Sequence, residues 1–404
     1  MTQRFFYGWV VLGAAFVVIT MSIGTLFTLG VFLRPIEESM GWSRSGIGAI
    51  GLFNWIVMGA GGVVSGFVSD RLGTRRVVMV GAVLLGLGLV LSSYVQEVWQ
   101  LYVTFGLLVG AGVSTFYVPL TVLAIKWFEG RRGMAAAVVS AGNGLGILAL
   151  APLSRWLINE FDWRMAFLVL GNLAWVVVLP SALLLRAPSG GQPLTAPSPV
   201  LGSASGSPWA TWPFWAIALT HFCCCAAHSG PLFHLVTHAM EQGVGKMAAA
   251  SILGASGLTS IFGRIGTGMV ADRVGAKRTL LSALSLQAAL IFLYLFAGGE
   301  GALWTLSLAF GVAYGGAMPL YALVTREYFG ERVLGTTYGG VFFISCIGMG
   351  LGSYAGGAIH DLLGSYQWLF LGSFAIGTMA IVLGVTLRAP VGVPMPRPSP
   401  ALGG

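Results

Sequence analysis

The sequence predicts an all-α membrane protein with twelve transmembrane helices, divided into two six-helix halves. Of its 404 residues, 56% are hydrophobic and only 8% are charged, which is too little charge to cover the surface of a water-soluble domain. Uncharged apolar runs of roughly 20 residues, long enough to cross a lipid bilayer as helices, recur along the chain. The second half also repeats motifs of the first at a nearly constant spacing.

The apolar runs define the elements in order, six before the middle of the chain and six after it. The predicted spans are 8–33, 45–69, 77–96, 98–125, 133–154, 165–185, 210–240, 247–271, 279–299, 301–325, 333–360 and 364–387. The segment 187–209 is rich in Pro, Gly and Ser, which is typical of a flexible linker. The predicted domains are therefore 1–186 and 210–390, and the Pro-rich tail 391–404 is predicted to be disordered.

The distribution of Lys and Arg predicts the orientation of these helices. If the N-terminus lies inside and the spans alternate, fifteen of the 21 basic residues fall on the inner side and five on the outer side. Cytoplasmic loops carry such an excess, so both termini are predicted to be cytoplasmic and the protein to be a multi-pass protein of the cell inner membrane. The net charge of +8 is spread over membrane loops, and no nucleic-acid partner is predicted.

The two halves carry the same loop motif after their second span. The first copy reads GFVSDRLGTRR from Gly66, and the second reads GMVADRVGAKR from Gly268, an offset of 268 − 66 = 202 residues. Gly24 to Phe27 and Gly230 to Phe233 repeat at a similar offset, and so do Pro119 and Pro319. Several matches at offsets of 200–206 residues indicate an internal duplication.

Two six-helix halves with this Gly/Asp/Arg loop in each resemble the major facilitator superfamily over the whole chain. The resemblance implies two bundles around a central cavity that opens alternately to either side. It also implies a cytoplasmic gate made by Asp70, Arg71 and Arg75 in the first loop and by Asp272 and Arg273 in the second. Asp70, at the end of its span, can meet a helix N-terminus or a basic partner across the bundle interface. The alternative is that the loop arginines only anchor the helices at the inner surface.

Arg264 is the single charge inside an apolar run, in the stretch SILGASGLTSIFGRIGTGMVAD. A guanidinium at membrane depth is costly, so such a residue usually faces a cavity and has a function. Subtracting 202 from its number gives Gly62, so the repeat itself does not require a charge at this depth. All 13 Asp and Glu lie near span ends or in loops, which leaves Arg264 without an obvious fixed counter-ion. We predict that it pairs with a substrate carboxylate, the alternative being an Arg that bonds backbone carbonyls.

Two further stretches resemble the signature regions of the monocarboxylate transporters. They are YGWVVLGAAF at the start of the first span and WFEGRRGMAAAVVSAGNGLG between spans 4 and 5. The resemblance implies that Arg264, in span 8, holds the substrate carboxylate. The related oxalate/formate antiporters add a Lys in span 11, which residues 333–360 lack. Animal members carry a Lys where this chain has Phe27 and an Asp where it has Ser260, so the route of a coupled proton stays open.

Helical spacing predicts the remaining walls of the binding site. Tyr117 in span 4 and Tyr314 in span 10 could bond a carboxylate or an α-hydroxyl, or could serve only in helix packing. The other candidates are Asn143 in span 5, Leu26 and Phe27 in span 1, Ser260 in span 8, and Phe343 and Cys346 in span 11.

Four histidines crowd span 7 and are possible proton relays: His221, His228, His234 and His238. No enzyme motif, phosphate-binding loop, cofactor or metal site is predicted. The predicted function is transport of a short monocarboxylate anion such as lactate or pyruvate, coupled to a proton, by alternating access. The alternatives are an organic-anion antiporter of the oxalate/formate type and a carboxylate sensor with a transporter fold.

Overall fold

The computed structural model describes residues 6–42, 44–188, 207–331 and 333–387. All regular structure in these ranges is helical. Most of the predicted linker and the whole predicted tail lie outside the described residues.

Twelve long helices, numbered α1 to α12, follow the predicted spans in order within the described residues. Their bounds are α1 Gly8–Phe27 continued by Leu29–Met40, α2 Arg44–Leu72, α3 Thr74–Ser92, α4 Val98–Trp127, α5 Arg132–Glu160, α6 Trp163–Leu184, α7 Trp212–Glu241, α8 Lys246–Val274, α9 Ala276–Phe296, α10 Glu300–Phe329, α11 Leu334–Leu363 and α12 Gln367–Thr386. Eleven of them are long and apolar enough to cross a membrane. The remaining helix, α8, is 29 residues long and contains Arg264.

Two helices are interrupted at equivalent points of the two halves. In α4 the regular helix stops at Ser114 and resumes at Tyr117, just before Pro119. In α10 it stops at Ala317 and resumes at Leu320, directly after Pro319. Proline lacks the N–H that an unbroken helix needs and its ring crowds the preceding turn, so both breaks follow from the sequence.

The helices form two bundles that meet along two seams. Within the halves, α1 packs against α5 and α3 against α6, while α7 packs against α11, α8 against α10 and α9 against α12. Between the halves, α2 packs against α11 and α5 against α8. These two inter-bundle seams place the middle of α8 at the centre of the molecule.

Both seams are closed at the end that carries the two repeated loops, here named the motif face (residues 66–76 and 268–278). The Asp70 carboxylate accepts a hydrogen bond from the backbone N–H of Thr336, at the start of α11, at 3.3 Å. The Asp272 carboxylate accepts two, from Gly133 at 2.6 Å and Met134 at 3.0 Å, at the start of α5. Each loop Asp therefore caps the N-terminus of a helix in the other bundle, where free N–H groups and the helix dipole favour a negative charge.

The glycine of each repeated loop motif allows this contact. A Cβ added to Gly268 would collide with the backbone oxygen of Gly133, and one added to Gly66 would collide with that of Gly335. The two glycine pairs are related by the same 202-residue offset, since 268 − 66 and 335 − 133 are equal. The helices thus touch backbone to backbone at the motif face, one turn before each aspartate.

A charged cluster adds a third cross-bundle contact on the motif face. The guanidinium of Arg132 lies 3.2 Å from a Glu331 oxygen, and Arg326 bonds the same oxygen at 2.6 Å. Asp70 also faces Lys126 of its own bundle at 3.8 Å. The side chains of these pairs are half-buried, and ion pairs near a protein surface typically contribute about 0–1 kcal/mol each, so the buried glycine contacts are the firmer part of the closure.

Candidate functional site: a central cavity around Arg264

A cavity of about 80 Å³ lies between the bundles and is lined by helices of both halves. This is room for several water molecules, or for a solute with few heavy atoms, because one water needs roughly 10–15 Å³ on this measure. Residues from α1, α2, α4 and α5 form one side, and residues from α7, α8, α10 and α11 form the other.

Arg264 enters the cavity from α8 and is 5% exposed. Its Nη1 atom donates a hydrogen bond to the hydroxyl oxygen of Ser140 in α5, across the bundle interface. Its Nε–H has no partner among the described residues. None of the described residues lining the cavity is Asp or Glu. A buried guanidinium with a neutral partner and a free N–H retains the capacity to bind an anion.

Ser140 connects Arg264 to the predicted site residue Tyr117. The Tyr117 hydroxyl lies 3.4 Å from the Ser140 oxygen and donates to it. Ser140 is 1% exposed and is surrounded by small residues of α5. The serine hydroxyl thus accepts from one group in each bundle, and sequence reasoning missed it because nothing before folding shows that α5 faces α8 at this depth.

At the seam between α2 and α11, a different pair of residues lies at the depth where Arg264 meets Ser140 in the other seam. The 202-residue offset relates Arg264 to Gly62 and Ser140 to Phe342, and Phe342 is the nearest neighbour that a Cβ on Gly62 would meet, at 3.3 Å. Phe342 stacks on Tyr117 with ring centroids 5.1 Å apart. One seam therefore supplies a cation and the other an aromatic face, which makes the cavity polar on one side and apolar on the other.

Two more polar atoms of lining residues have no partner among the described residues. They are the Asn143 side-chain oxygen and His221 Nδ1. Buried polar atoms are normally hydrogen-bonded, so unpartnered ones around a cavity indicate a site that a ligand or water completes.

Aromatic rings cover the cavity on the side away from the motif face. Phe27 and Trp55 line it and contact each other edge to face at 5.9 Å. Phe27 also stacks on Phe233 of the other bundle, with centroids 6.1 Å apart and planes 13° from parallel. This contact joins α1 and α7, the helices in which the sequence shows a repeated Gly-x-Leu-Phe motif.

The structure brings seven of the nine predicted binding residues to this cavity. They are Phe27, Tyr117, Asn143, Ser260, Arg264, Tyr314 and Cys346. The Ser260 hydroxyl bonds the Gly257 carbonyl of its own helix at 2.7 Å, so it lines the cavity as a neutral group.

Two predicted wall residues lie elsewhere, and a neighbour on the same helix takes the place of each. Leu26 belongs to the buried core, while Ile23, four residues before Phe27 and on its helix face, lines the cavity. Phe343 packs against α2, where its Cα would be 3.2 Å from a Cβ on Gly59. Phe342 lines the cavity instead, because one residue turns a side chain by about 100° around a helix.

The predicted gate residues divide into two groups. Asp70 and Asp272 make the cross-bundle contacts described above, whereas Arg71, Arg75 and Arg273 are exposed. Arg71 lies over the Phe67 ring of its own helix, 4.0 Å from the centroid. In this conformation the carboxylates hold the bundles together and the loop arginines face outward.

Comparisons with known proteins agree with this architecture. The family model described as "Major Facilitator Superfamily" matches residues 12–353 and 268–403. Monocarboxylate transporter 11 of Mus musculus is 30% identical, with 95% of this chain and 88% of the relative covered. Monocarboxylate transporter 13 of Rattus norvegicus is 28% identical over 93% and 88%, and monocarboxylate transporter 2 of Homo sapiens is 26% identical over 93% and 84%.

A solved structure shares the fold at low sequence identity. The crystal structure of the major facilitator superfamily transporter FucP in the outward conformation aligns with a TM-score of 0.72 at 16% identity, covering 92% of this chain and 97% of that one.

Proposed function

Because this chain belongs to the major facilitator superfamily, within its monocarboxylate transporter family, we propose that it transports short monocarboxylates such as lactate and pyruvate together with a proton. The main observation in support of this proposal is Arg264, a buried cation that lines the central cavity. Its Nε–H has no partner among the described residues, and no described lining residue is a carboxylate. One guanidinium can bind one carboxylate through two parallel hydrogen bonds.

The apolar half of the cavity supports a small substrate with one charged end. Phe27, Trp55 and Phe342 provide aromatic surface in the cavity, and none of them carries a positive charge that could pair with a second carboxylate. Helix α11 has no Lys or Arg in its described residues 334–363, so a dicarboxylate would lack a second cation there.

The reason to expect proton coupling is the negative charge of the substrate, rather than an acidic side chain of the protein. A carboxylate moved alone into a negative-inside cell costs about 2.3 kcal/mol for each 100 mV, and a proton moving with it removes that cost. With Phe27 and Ser260 at the two positions where a Lys and an Asp are expected, we propose that the bound carboxylate itself is the partner of the proton. The excess of Lys and Arg on the motif-face side supports a cytoplasmic motif face and cytoplasmic termini in an inner membrane.

Uptake of radiolabelled lactate into proteoliposomes under an imposed pH gradient tests this function. We expect uptake to rise as the external pH falls and to be lost in Arg264→Ala, a variant that should still fold because its native residue has no buried acidic partner. Counterflow that persists without a pH gradient, combined with failed net uptake, would indicate an exchanger. Saturable binding without any flux would indicate a sensor. Lactate uptake by Arg264→Ala with unchanged affinity would show that the anion site lies elsewhere.

A further inference from the structure

The cavity contains a histidine that the proposed transport mechanism does not use. His228 of α7 lines the same cavity as Arg264, is 1% exposed, and stacks on Tyr314 with ring centroids 5.4 Å apart and planes 17° from parallel. The stacking holds the imidazole plane, and the Tyr314 ring belongs to α10, so two helices of the C-terminal bundle fix the orientation of this side chain.

One hydrogen bond determines which nitrogen of His228 carries the proton. Nδ1 lies 2.8 Å from the backbone oxygen of Cys224, one turn earlier in α7. A carbonyl oxygen can only accept, so Nδ1 must be the donor. In a neutral imidazole the other nitrogen, Nε2, then carries a lone pair and can only accept.

The charges around the cavity favour that neutral form. Arg264 lines the same cavity as His228, and the described lining residues offer no carboxylate to balance a second positive charge. No hydrogen-bond partner for His228 Nε2 is found among the described residues. The cavity therefore presents a donor at Arg264 and a defined acceptor at His228.

We propose that His228 is a specificity-determining residue that accepts a hydrogen bond from the 2-hydroxyl group of the substrate, so that the site prefers 2-hydroxy monocarboxylates. This rests on the proposed function, in which Arg264 holds the carboxylate. A 2-hydroxy acid offers a donor to Nε2, an unsubstituted acid offers nothing, and a 2-oxo acid presents a second lone pair. Asn143 cannot make this distinction, because its side-chain amide can present either an oxygen or an NH₂ group.

Equilibrium binding of lactate, propionate and pyruvate to the purified full-length protein tests the proposal. These three-carbon acids differ only at the second carbon. One neutral hydrogen bond corresponds to a preference of about three- to tenfold, so we expect lactate to bind that much more tightly than propionate, and pyruvate to bind no better than propionate. His228→Phe retains a ring against Tyr314 and should abolish the preference while leaving propionate affinity within about twofold. His228→Gln, whose side-chain oxygen can accept, should restore part of it.

His238→Phe is the matched control, because His238 belongs to the same helix but does not line the cavity. It should leave all three affinities unchanged. Equal lactate and propionate binding by the unsubstituted protein, or an unaltered ratio in His228→Phe, would overturn the role of His228 while the carboxylate site stands. If none of the three acids binds, or if Arg264→Ala binds them all as well as the native protein, the proposed function itself fails.

Discussion

At the scale of single residues, the chemistry of the cavity depends on a guanidinium whose only described side-chain partner is neutral. Arg264 is held by Ser140, which belongs to the opposite bundle and also accepts from Tyr117. A carboxylate that pairs end-on with Nη1 and Nη2 must take the donor that Ser140 uses, whereas one that pairs with Nε–H and Nη2 leaves that hydrogen bond in place. The proposed binding group is therefore also part of the contact between the two bundles.

Replacing Arg264 by Lys should reduce lactate affinity about tenfold or more, although the charge is unchanged. A Lys ammonium is a point charge without the planar fork that binds both carboxylate oxygens, and charge-assisted hydrogen bonds contribute about 1.5–3 kcal/mol each. Binding of lactate to purified Arg264→Lys measures the effect. A Lys variant with native affinity would mean that the site requires only positive charge.

Replacing Ser140 by Ala should tighten carboxylate binding about three- to tenfold, because the empty site then loses the hydroxyl that competes for Nη1. Ser154→Ala is the control: Ser154 is buried in the same helix but bonds the Leu150 carbonyl of that helix. The affinity of each variant for lactate decides the matter. Weaker binding in Ser140→Ala would show that the serine supports the bound state, and unchanged binding would show that it does not compete for Nη1.

The sequence predicts the site only in part, and the reason is geometric. Arg264 is detectable because a charge in an apolar run is rare, and Tyr117 and Tyr314 because their spacing repeats between the halves. Ser140 gives no such signal, since a hydroxyl among small residues is common in packed helices. Which of Phe342 and Phe343 faces the cavity depends on the rotation of α11, which is set by its contacts with α2 and α7.

At the scale of helices, the repeated loop motif is explained by two contacts one turn apart. The glycine lets α8 approach α5, or α2 approach α11, and the aspartate then caps the helix it has reached. The sequence predicts the twelve helices and this motif, but not the full helix lengths. Helix α5 continues to Glu160, beyond the predicted residue 154, and α1 continues to Met40, beyond residue 33. Ends that leave the apolar layer carry polar residues, and hydropathy no longer marks them.

Gly268→Ala should weaken the closure of the motif face, because its methyl group would collide with the Gly133 backbone. Overpacking of this kind costs about 1–3 kcal/mol, enough to raise the ratio of open to closed forms about 5- to 160-fold. Gly266→Ala is the control, since a Cβ at Gly266 meets nothing within 4 Å.

Spin labels at positions 75 and 278, one in each bundle, would report this opening as a longer distance. Both native arginines are exposed, and the four native cysteines are buried, so background labelling should be low. Equal distances in Gly268→Ala, Gly266→Ala and the native protein would contradict a role for the glycine contact in closure.

At the scale of the whole molecule, the duplication gives two similar bundles but only one ionic binding group. The 202-residue offset relates both aspartate caps and both glycine contacts, whereas it relates Arg264 to Gly62. The closure is therefore symmetric while the site is not. The repeat in the sequence predicts the two-bundle architecture. Of the differences between the two halves of the site, the sequence predicts only the charged residue, Arg264.

If each carboxylate moves with one proton, as proposed, lactate uptake driven by a pH gradient should be electroneutral. Clamping the membrane potential of proteoliposomes with potassium and valinomycin should then change the initial uptake rate by less than about twofold. Uptake driven by an inside-positive potential but indifferent to the pH gradient would instead identify movement of the anion alone.

Arg264, Gly268 and Asp272 are spaced four residues apart on α8 and all meet α5, at Ser140, Gly133 and the first N–H groups of that helix. Arg264 and Asp272 are therefore separated by a rise of about 12 Å along the axis of one continuous helix. Thermodynamic linkage requires that any influence between two such points be mutual. If an arriving anion draws Arg264 away from Ser140 and loosens the seam, then loosening the seam at Gly268 must change the affinity for the anion by the same factor. The two points on α8 can be measured independently. Ligand titration reports the affinity at Arg264, and the interhelix distance reports the closure at Gly268.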